Sequence, residues 1–175
     1  MAHLEQQDFI QRVASQFPNH FVNQRVLEIG SLNINGTVRD LFKNCAYIGI
    51  DLGIGPGVDL VCSGADYRSD IPFGVTISTE CFEHNPKWIE TFENMINLTA
   101  NNGLIIVTSA STGRPEHGTK KSTPDRSPFT CDNDYYANIS VKDFVSKWDF
   151  EEIFNSYRFE YINYPGDLYF VGVKK

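Results

Sequence analysis

The sequence predicts a single α/β domain: a doubly wound, mostly parallel seven-stranded sheet that ends in an antiparallel hairpin, with helices on both faces. Three observations predict it. Short β-branched runs such as "RVLEIG", "AYIGID" and "LIIVTSA" alternate with helix-spaced amphipathic runs, the pattern of strands buried on both faces. Near the C-terminus the pattern changes to two β-rich runs around an "NYPGD" turn. At 175 residues, with 41% hydrophobic and 13% aromatic content, the chain has the size and apolar content of one core. No repeat, low-complexity segment or Pro/Gly-rich linker divides residues 1–175.

Apolar positions at Leu4, Phe9, Ile10, Val13 and Phe17 form a helical stripe over 3–17, a leading helix within residues 1–20 that Pro18 and Asn19 stop. "RVLEIG" is the first strand. After the Asn35-Gly36 turn, "TVRDLFKN" reads as a short helix with Val38, Leu41 and Phe42 inward. "AYIGID" is the second strand and ends in Asp51; residues 58–62 make a third and "GVTISTE", 74–80, a fourth. Asn85 caps the next helix with Pro86 at its first position, where a missing N–H does no harm. Trp88, Ile89, Phe92, Met95 and Ile96 keep helical spacing up to the Asn101-Asn102-Gly103 turn. "LIIVTSA" is the fifth strand. The polar stretch 111–138 is too long for a plain connection and is expected to be a lid or substrate loop. Ser140 with Asp143 marks a capping-box start for a helix through Trp148. The runs 150–162 and 168–173 complete the hairpin.

A net charge of −7 and a pI near 5.0 argue against a broad basic footprint, so nucleic acid is not the expected partner. No apolar run approaches the roughly 18 residues that span a bilayer. "MAHLEQQDFIQ" has neither a basic leader nor an apolar signal core, and a cytoplasmic protein without membrane attachment is expected. Cys45, Cys62, Cys81 and Cys131 show no CxxC spacing, which favours reduced thiols over a zinc knuckle. Glu83, His84, Glu116 and His117 fit no metal-ligand signature, so no metal is expected.

Ligands of open α/β sheets bind at the carboxyl ends of the strands, near the point where the connections reverse. Glu28, Gly30, the loop from Ser31 to Gly36 and Asp51 belong there. Gly30 lets a ligand approach the backbone, and loop amides offer donors. Asp51 can accept both hydroxyls of a ribose, each charged hydrogen bond contributing about 1.5 to 3 kcal/mol. An adenosine-containing ligand fits this edge.

"VLEIGS", "YIGID", the Gly64-Ala65-Asp66 step, "ISTECFEHNP" and "NGLIIVTSAS" stand in an order and spacing that resemble the class I S-adenosylmethionine-dependent methyltransferases, of the small, single-domain, methyltransferase-11-like kind. The resemblance covers most of 24–175. It implies a Rossmann-like fold, S-adenosylmethionine as cofactor and methyl transfer as the activity. By the same resemblance, Glu28 supports the methionine amino end, and Gly30 and Ser31 begin the loop against which the cofactor lies. Asp51 would bind the ribose, Leu52 would flank the adenine, and Asp66 would receive the adenine amino group with Tyr67 adjacent. Thr79 and Glu80 would lie beneath the methionine moiety, facing the acceptor. The chain departs from the family where glycine usually repeats: Leu32 and Ile34 take those places in "GSLNINGT", with Gly36 later in the turn. A nicotinamide dehydrogenase is disfavoured by the missing GxGxxG and by the terminal hairpin.

Methyl transfer from a sulfonium is an in-line displacement, so alignment and desolvation do much of the catalysis, and a hydroxyl acceptor gains from a general base. His84 in "EHNP" and His117 in "GRPEHGT" are the candidate catalytic residues. Arg114, Glu116, Tyr135 and Tyr136 in the long loop suit a polar small molecule. The "GRPEHGT" and "YYANIS" elements resemble those of small methyltransferases in glycan or nucleotide-sugar pathways. The expected function is methylation of a small polar acceptor, at oxygen in preference to nitrogen, with a sugar or nucleotide sugar first among candidates. An N-methyltransferase acting on protein or nucleic acid is the enzyme alternative, although no DPPY-type tetrapeptide follows the fourth strand. A non-catalytic binding protein that retains the fold is the other.

Overall fold

A computed structural model describes residues 4–175; residues 1–3, whose His3 was expected to open the leading helix, lie outside the described residues. The strands are β1 Arg25–Ile29, β2 Ala46–Asp51, β3 Leu60–Val61, β4 Phe73–Thr79, β5 Thr99–Ala110, β6 Phe154–Ile162 and β7 Asp167–Lys174. They form one sheet in the order β3-β2-β1-β4-β5-β7-β6. β1 is parallel to both β2 and β4, and β3 and β5 extend the parallel set. β7 opposes its neighbours β5 and β6. This is the Rossmann-like, doubly wound sheet with a reversed terminal pair.

Four α-helices accompany it: α1 Leu4–Gln16, α2 Trp88–Leu98, α3 Val141–Val145 and α4 Phe150–Ile153. Strand side chains alternate between faces, so Leu104 and Ile106 join Phe9, Ile10 and Val13 of α1, while Ile105 and Val107 join Phe92 and Met95 of α2. Each such buried side chain contributes about 1.5 to 3 kcal/mol. The α2 face is notably aromatic: the Phe92 ring lies 4.8 Å from Trp148 and 5.1 Å from Phe144. α1 carries one buried polar group, Gln6, whose amide donates to Thr108 Oγ1 at 2.6 Å. No helix among the described residues is long and apolar enough to cross a membrane.

Several local expectations are corrected. Leu4 is exposed rather than part of the stripe. The helix expected over "TVRDLFKN" is a single 3-10 turn at Arg39–Leu41. Val38 and Phe42 are buried as expected, but eight residues with β-branched Thr37 and Val38 at the start are too few to hold a helix against tertiary anchoring. The third strand shrinks to two residues. α2 begins at Trp88, because the Asn85 carboxamide accepts from the Lys87 amide at 2.9 Å and shapes a turn before the helix. It also ends at Leu98, short of the Asn101-Asn102-Gly103 turn, and the chain enters β5 directly. The Ser140 capping box is present: its amide donates to Asp143 Oδ2 at 2.8 Å, but α3 stops at Val145. Residues 150–153 are helical rather than extended, because Asp149 caps them by accepting from the amides of Glu151 and Glu152.

Candidate functional site

The order of connections reverses between β1 and β4, and a cavity of about 260 Å³ opens there, at the carboxyl ends of β1, β2 and β4. Ile29, Gly30, Asp51, Leu52, Thr79 and Glu80 form its sheet side. Residues of the long loop, among them Arg126, Pro128 and Phe129, form the opposite wall. Loop 111–138 is therefore a strap across the cavity. Glu80 has φ +50, a left-handed conformation that a non-glycine residue adopts only where its surroundings demand it.

The loop after β1 compensates for its missing glycines. Gly30 itself has φ +78, and an added Cβ would meet Cys81 Cβ at 2.6 Å, so the tips of β1 and β4 touch through it. Leu32 and Ile34 line the cavity without filling it. Their close approach to the loop after β2 is permitted from the other side. A Cβ on Gly55 would meet Leu32 Cδ1 at 2.3 Å, and one on Gly57 would meet the Ser31 carbonyl at 2.5 Å. The Asn33 amide donates to the Pro56 carbonyl at 2.8 Å, and the Asn33 side chain accepts from the Gly36 amide at 2.9 Å. Ser31 is buried beneath this contact and does not line the cavity.

Asp51 joins the two loops. Its Oδ2 accepts from the Leu32 amide at 2.9 Å and its Oδ1 from the Leu52 amide at 2.7 Å. Burial raises its carboxyl above the ordinary aspartate range, against the pull of these two amides. A carboxylate has about four acceptor sites, so two remain for donors in the cavity. Glu28 points to the other face of β1. It accepts from the Tyr47 hydroxyl at 2.9 Å, does not line the cavity, and burial pushes its carboxyl up to about 7. Tyr47 in turn lies beneath the Arg39 guanidinium, 4.7 Å from ring centroid to Cζ, and Arg39 pairs with Asp59 at 3.0 Å. Glu28 thus anchors the base of the loop.

Two expectations at the nucleoside end are not met. Asp66 is exposed and faces a separate surface groove with Arg68, Lys87 and Glu90. Tyr67 packs against the core beside Phe73. Asn94 on α2 donates to the carbonyls of Gly64 at 2.7 Å and Tyr67 at 3.0 Å and fixes this turn, in which Gly64 faces the cavity and Asp66 does not. Cys62 and Gly64 line the cavity in their place. Phe129, which sequence reasoning missed, reaches from the strap to Gly53: a Cβ there would meet the ring at 2.4 Å. An aromatic in a polar loop carried no periodic signal to expose it.

The far end gathers residues from two loops. The His84 and His117 rings are 5.0 Å apart at 84°, and Tyr136 stands 5.6 Å from the first and 5.1 Å from the second. His84 lines the cavity. Gly118, at φ +66, makes room for it: a Cβ would meet His84 Cε1 at 2.6 Å. Burial lowers both histidines to about 4, so both imidazoles are neutral at physiological pH. His117 Nδ1 lies 3.0 Å from the Pro115 carbonyl, which assigns the proton to Nδ1 and leaves a lone pair on Nε2. Glu83 is fully buried here, 3.9 Å from His84 Nε2, and burial raises its carboxyl.

The remaining loop candidates serve the strap. Arg114 forms a buried ion pair with Asp167 at 3.3 Å and does not line the cavity. Glu116 is exposed and accepts from the Thr119 hydroxyl at 2.7 Å. Tyr135 is half-buried and outside the cavity lining. Lys87, Arg126, Ser127, Thr130 and Asn133 supply the polar lining instead.

These features fit S-adenosylmethionine. A half-buried carboxylate with two open acceptor sites suits a ribose diol, apolar Leu52 and Phe129 flank the space beside it, and Gly30 keeps the β1 tip bare of a side chain. Comparisons with known proteins bear on the fold. No protein-family profile matches the chain, and no curated protein does either. Among solved structures, the chain is similar to the N-methyltransferase NodS from Bradyrhizobium japonicum WM9, with TM-score 0.58 and 11% identity over 98% of this chain and 99% of that one. It is similar to 1,6-didemethyltoxoflavin-N1-methyltransferase from Burkholderia thailandensis, bound to 1,6-didemethyltoxoflavin and S-adenosylhomocysteine, with TM-score 0.60 and 11% identity over 100% and 92%. It also resembles Haemonchus contortus phosphoethanolamine N-methyltransferase 2, in complex with phosphomonomethylethanolamine and S-adenosylhomocysteine, with TM-score 0.64 and 15% identity over 95% of this chain. It spans only 52% of that chain. The protein has the class I S-adenosylmethionine-dependent methyltransferase fold.

Proposed function

We propose that the protein is an S-adenosylmethionine-dependent methyltransferase acting on a small polar acceptor held under the strap. The observation that carries this reading is Asp51, a half-buried carboxylate at the tip of β2 that lines the cavity at the topological switch point and keeps acceptor capacity beyond its two amide contacts. Bound there, S-adenosylmethionine supplies a methyl group on a sulfonium, already activated for in-line displacement. The chain has to bind, align and keep water away. Asp51 accepts from the ribose, Leu52 and Phe129 border the adenine, and Thr79 and Glu80 lie toward the methionine. The strap supplies the wall opposite the sheet and narrows the access of solvent. Lys87 and Arg126 at the rim suit an acceptor that carries hydroxyl or phosphate groups, such as a sugar or nucleotide sugar.

We read the acceptor atom as oxygen, because neutral His84, on the cavity wall beside His117 and Tyr136, offers a lone pair to a hydroxyl donor. A nitrogen acceptor is the second reading, favoured by the N-methyltransferase names of the similar structures. Calorimetry with S-adenosylhomocysteine tests the cofactor half: binding is expected in the wild type and lost in Asp51→Ala. Equal binding by the variant would refute the site. A panel of sugars, nucleotide sugars and amines, read by S-adenosylhomocysteine release, tests the acceptor half.

A further inference from the structure

Glu83 is a carboxylate at 0% exposure whose oxygens are met, among the described residues, only by the backbone amides of Glu83 and Ala110, neither in full hydrogen-bond geometry. An isolated buried charge of this kind costs several kcal/mol unless a cation or donors meet it. His84 turns its Nε2 to Glu83 Oε1 at 3.9 Å, while its Nδ1 lies toward Gly118. His117 is buried too, its Nδ1 committed to the Pro115 carbonyl and its Nε2 open. One ligand atom from each of these three residues lies within 4.8 Å of the others. We infer that Glu83, His84 and His117 form a binding site for a divalent first-row transition cation, with zinc preferred over magnesium or calcium.

Three features favour a metal over a plain hydrogen-bonded cluster. The donor set of two imidazoles and one carboxylate is that of open zinc and iron(II) sites, whereas magnesium and calcium take oxygen ligands. The His117 Nδ1 contact with a backbone carbonyl is the outer contact that orients a ligating imidazole and leaves its other nitrogen to the metal. Tetrahedral coordination at bond lengths near 2.1 Å places neighbouring ligand atoms about 3.4 Å apart. His84 Nε2 and Glu83 Oε1 are 3.9 Å apart and all three ligand atoms lie within 4.8 Å of one another, so rotation of the side chains closes the set. Glu116, which shares the loop with His117, is tied to Thr119 and stays outside. Three protein ligands leave a coordination position for water or the acceptor heteroatom, and His84 sits on the cavity wall. A bound cation takes up the imidazole lone pairs, so it replaces His84 as the group that activates an acceptor; its binding does not depend on methyl transfer, since the three ligands are present whatever the cavity binds.

The full-length protein is stripped with a chelator and titrated with Co²⁺ by absorption spectroscopy and with Zn²⁺ by calorimetry. One equivalent per chain is expected, with visible d–d bands free of thiolate charge transfer, and no comparable binding of Mg²⁺ or Ca²⁺. Glu83→Gln and His117→Gln should each weaken Zn²⁺ affinity by about 100-fold or more. Circular dichroism selects for comparison whichever variant keeps the wild-type fold. The proposal is overturned by the absence of stoichiometric binding, by thiolate bands that place the ion on cysteines, or by folded variants that bind as the wild type does. S-adenosylhomocysteine binding, measured separately on the stripped protein, keeps failure of this site apart from failure of the cofactor reading.

Discussion

At one end of the cavity, Gly30, Asp51 and Leu52 stand at the tips of two adjacent parallel strands, and the Asp51 carboxylate ties their loops together through two backbone amides. At the other end, Glu83 and His84 follow β4 while His117 and Tyr136 come from the strap after β5, and they meet through ring contacts and burial. The Asp51 end rests on hydrogen bonds that the chain already satisfies in part. The histidine end is a desolvated cluster with polar atoms left over. Satisfied groups give a rigid cradle for a common ligand, whereas unsatisfied ones mark where a specific ligand or ion must complete the structure.

Substitutions can break that contrast in graded steps. Asp51→Ala should have the largest effect. It removes both amide contacts and the ribose acceptor, and S-adenosylhomocysteine affinity should fall by about 100-fold or more, from charged hydrogen bonds of about 1.5 to 3 kcal/mol each, read by calorimetry. His117→Ala, which lies outside the cavity lining, should leave that affinity within about twofold, since distant sites act independently. If both variants lose the ligand, the two ends are not separable.

The pH dependence of Glu28 comes next. Its folded carboxyl titrates at about 7 against an ordinary 4.5, because burial disfavours the charge. Between those values the folded chain holds a proton that the unfolded chain has released. Stability therefore falls as pH rises from about 4.5 to 7 and levels off above, by about 3 kcal/mol in all. Denaturant melts across this window should show the slope, and Glu28→Gln should remove its contribution. Gly57→Ala should cost about 2 kcal/mol, because φ +87 and the Ser31 carbonyl at 2.5 Å both oppose a Cβ, and thermal melts will record it. Asp66→Ala should have the smallest effect, within about 0.5 kcal/mol in stability and without change in S-adenosylhomocysteine affinity, as for other exposed surface positions. A large loss there would return Asp66 to the nucleoside site.

Much of the Asp51 end of the cavity could be read along the chain. A β-branched run ending in a glycine, and another ending in an acid, put Gly30 and Asp51 at strand tips, since strand length and alternation are local properties. The exceptions were decided by contacts from elsewhere. Asp66 sits in the expected step, but the turn that Asn94 on α2 fixes presents Gly64 to the cavity and Asp66 to the outer surface. The glycines absent from "GSLNING" turned out to be supplied by Gly55 and Gly57 across the loop boundary, where only packing reveals what they face. Arg114 has the chemistry of a substrate contact, and its pairing with Asp167 is a fact of the hairpin turn closing beside the strap.

By itself, the amino-acid order determined the alternation of strands and helical runs, the reversed terminal hairpin and the acid at the β2 tip, because these follow from side-chain periodicity and turn chemistry over a few residues. Only the tertiary structure decided that Glu83, His84, His117 and Tyr136 share one buried space, that Phe129 reaches Gly53, and that Leu32 and Ile34 become walls rather than a plug. Those outcomes depend on how a long strap folds across a sheet edge. Its path is set by ion pairs, glycine gaps and desolvation between segments far apart in the chain, which no local pattern encodes.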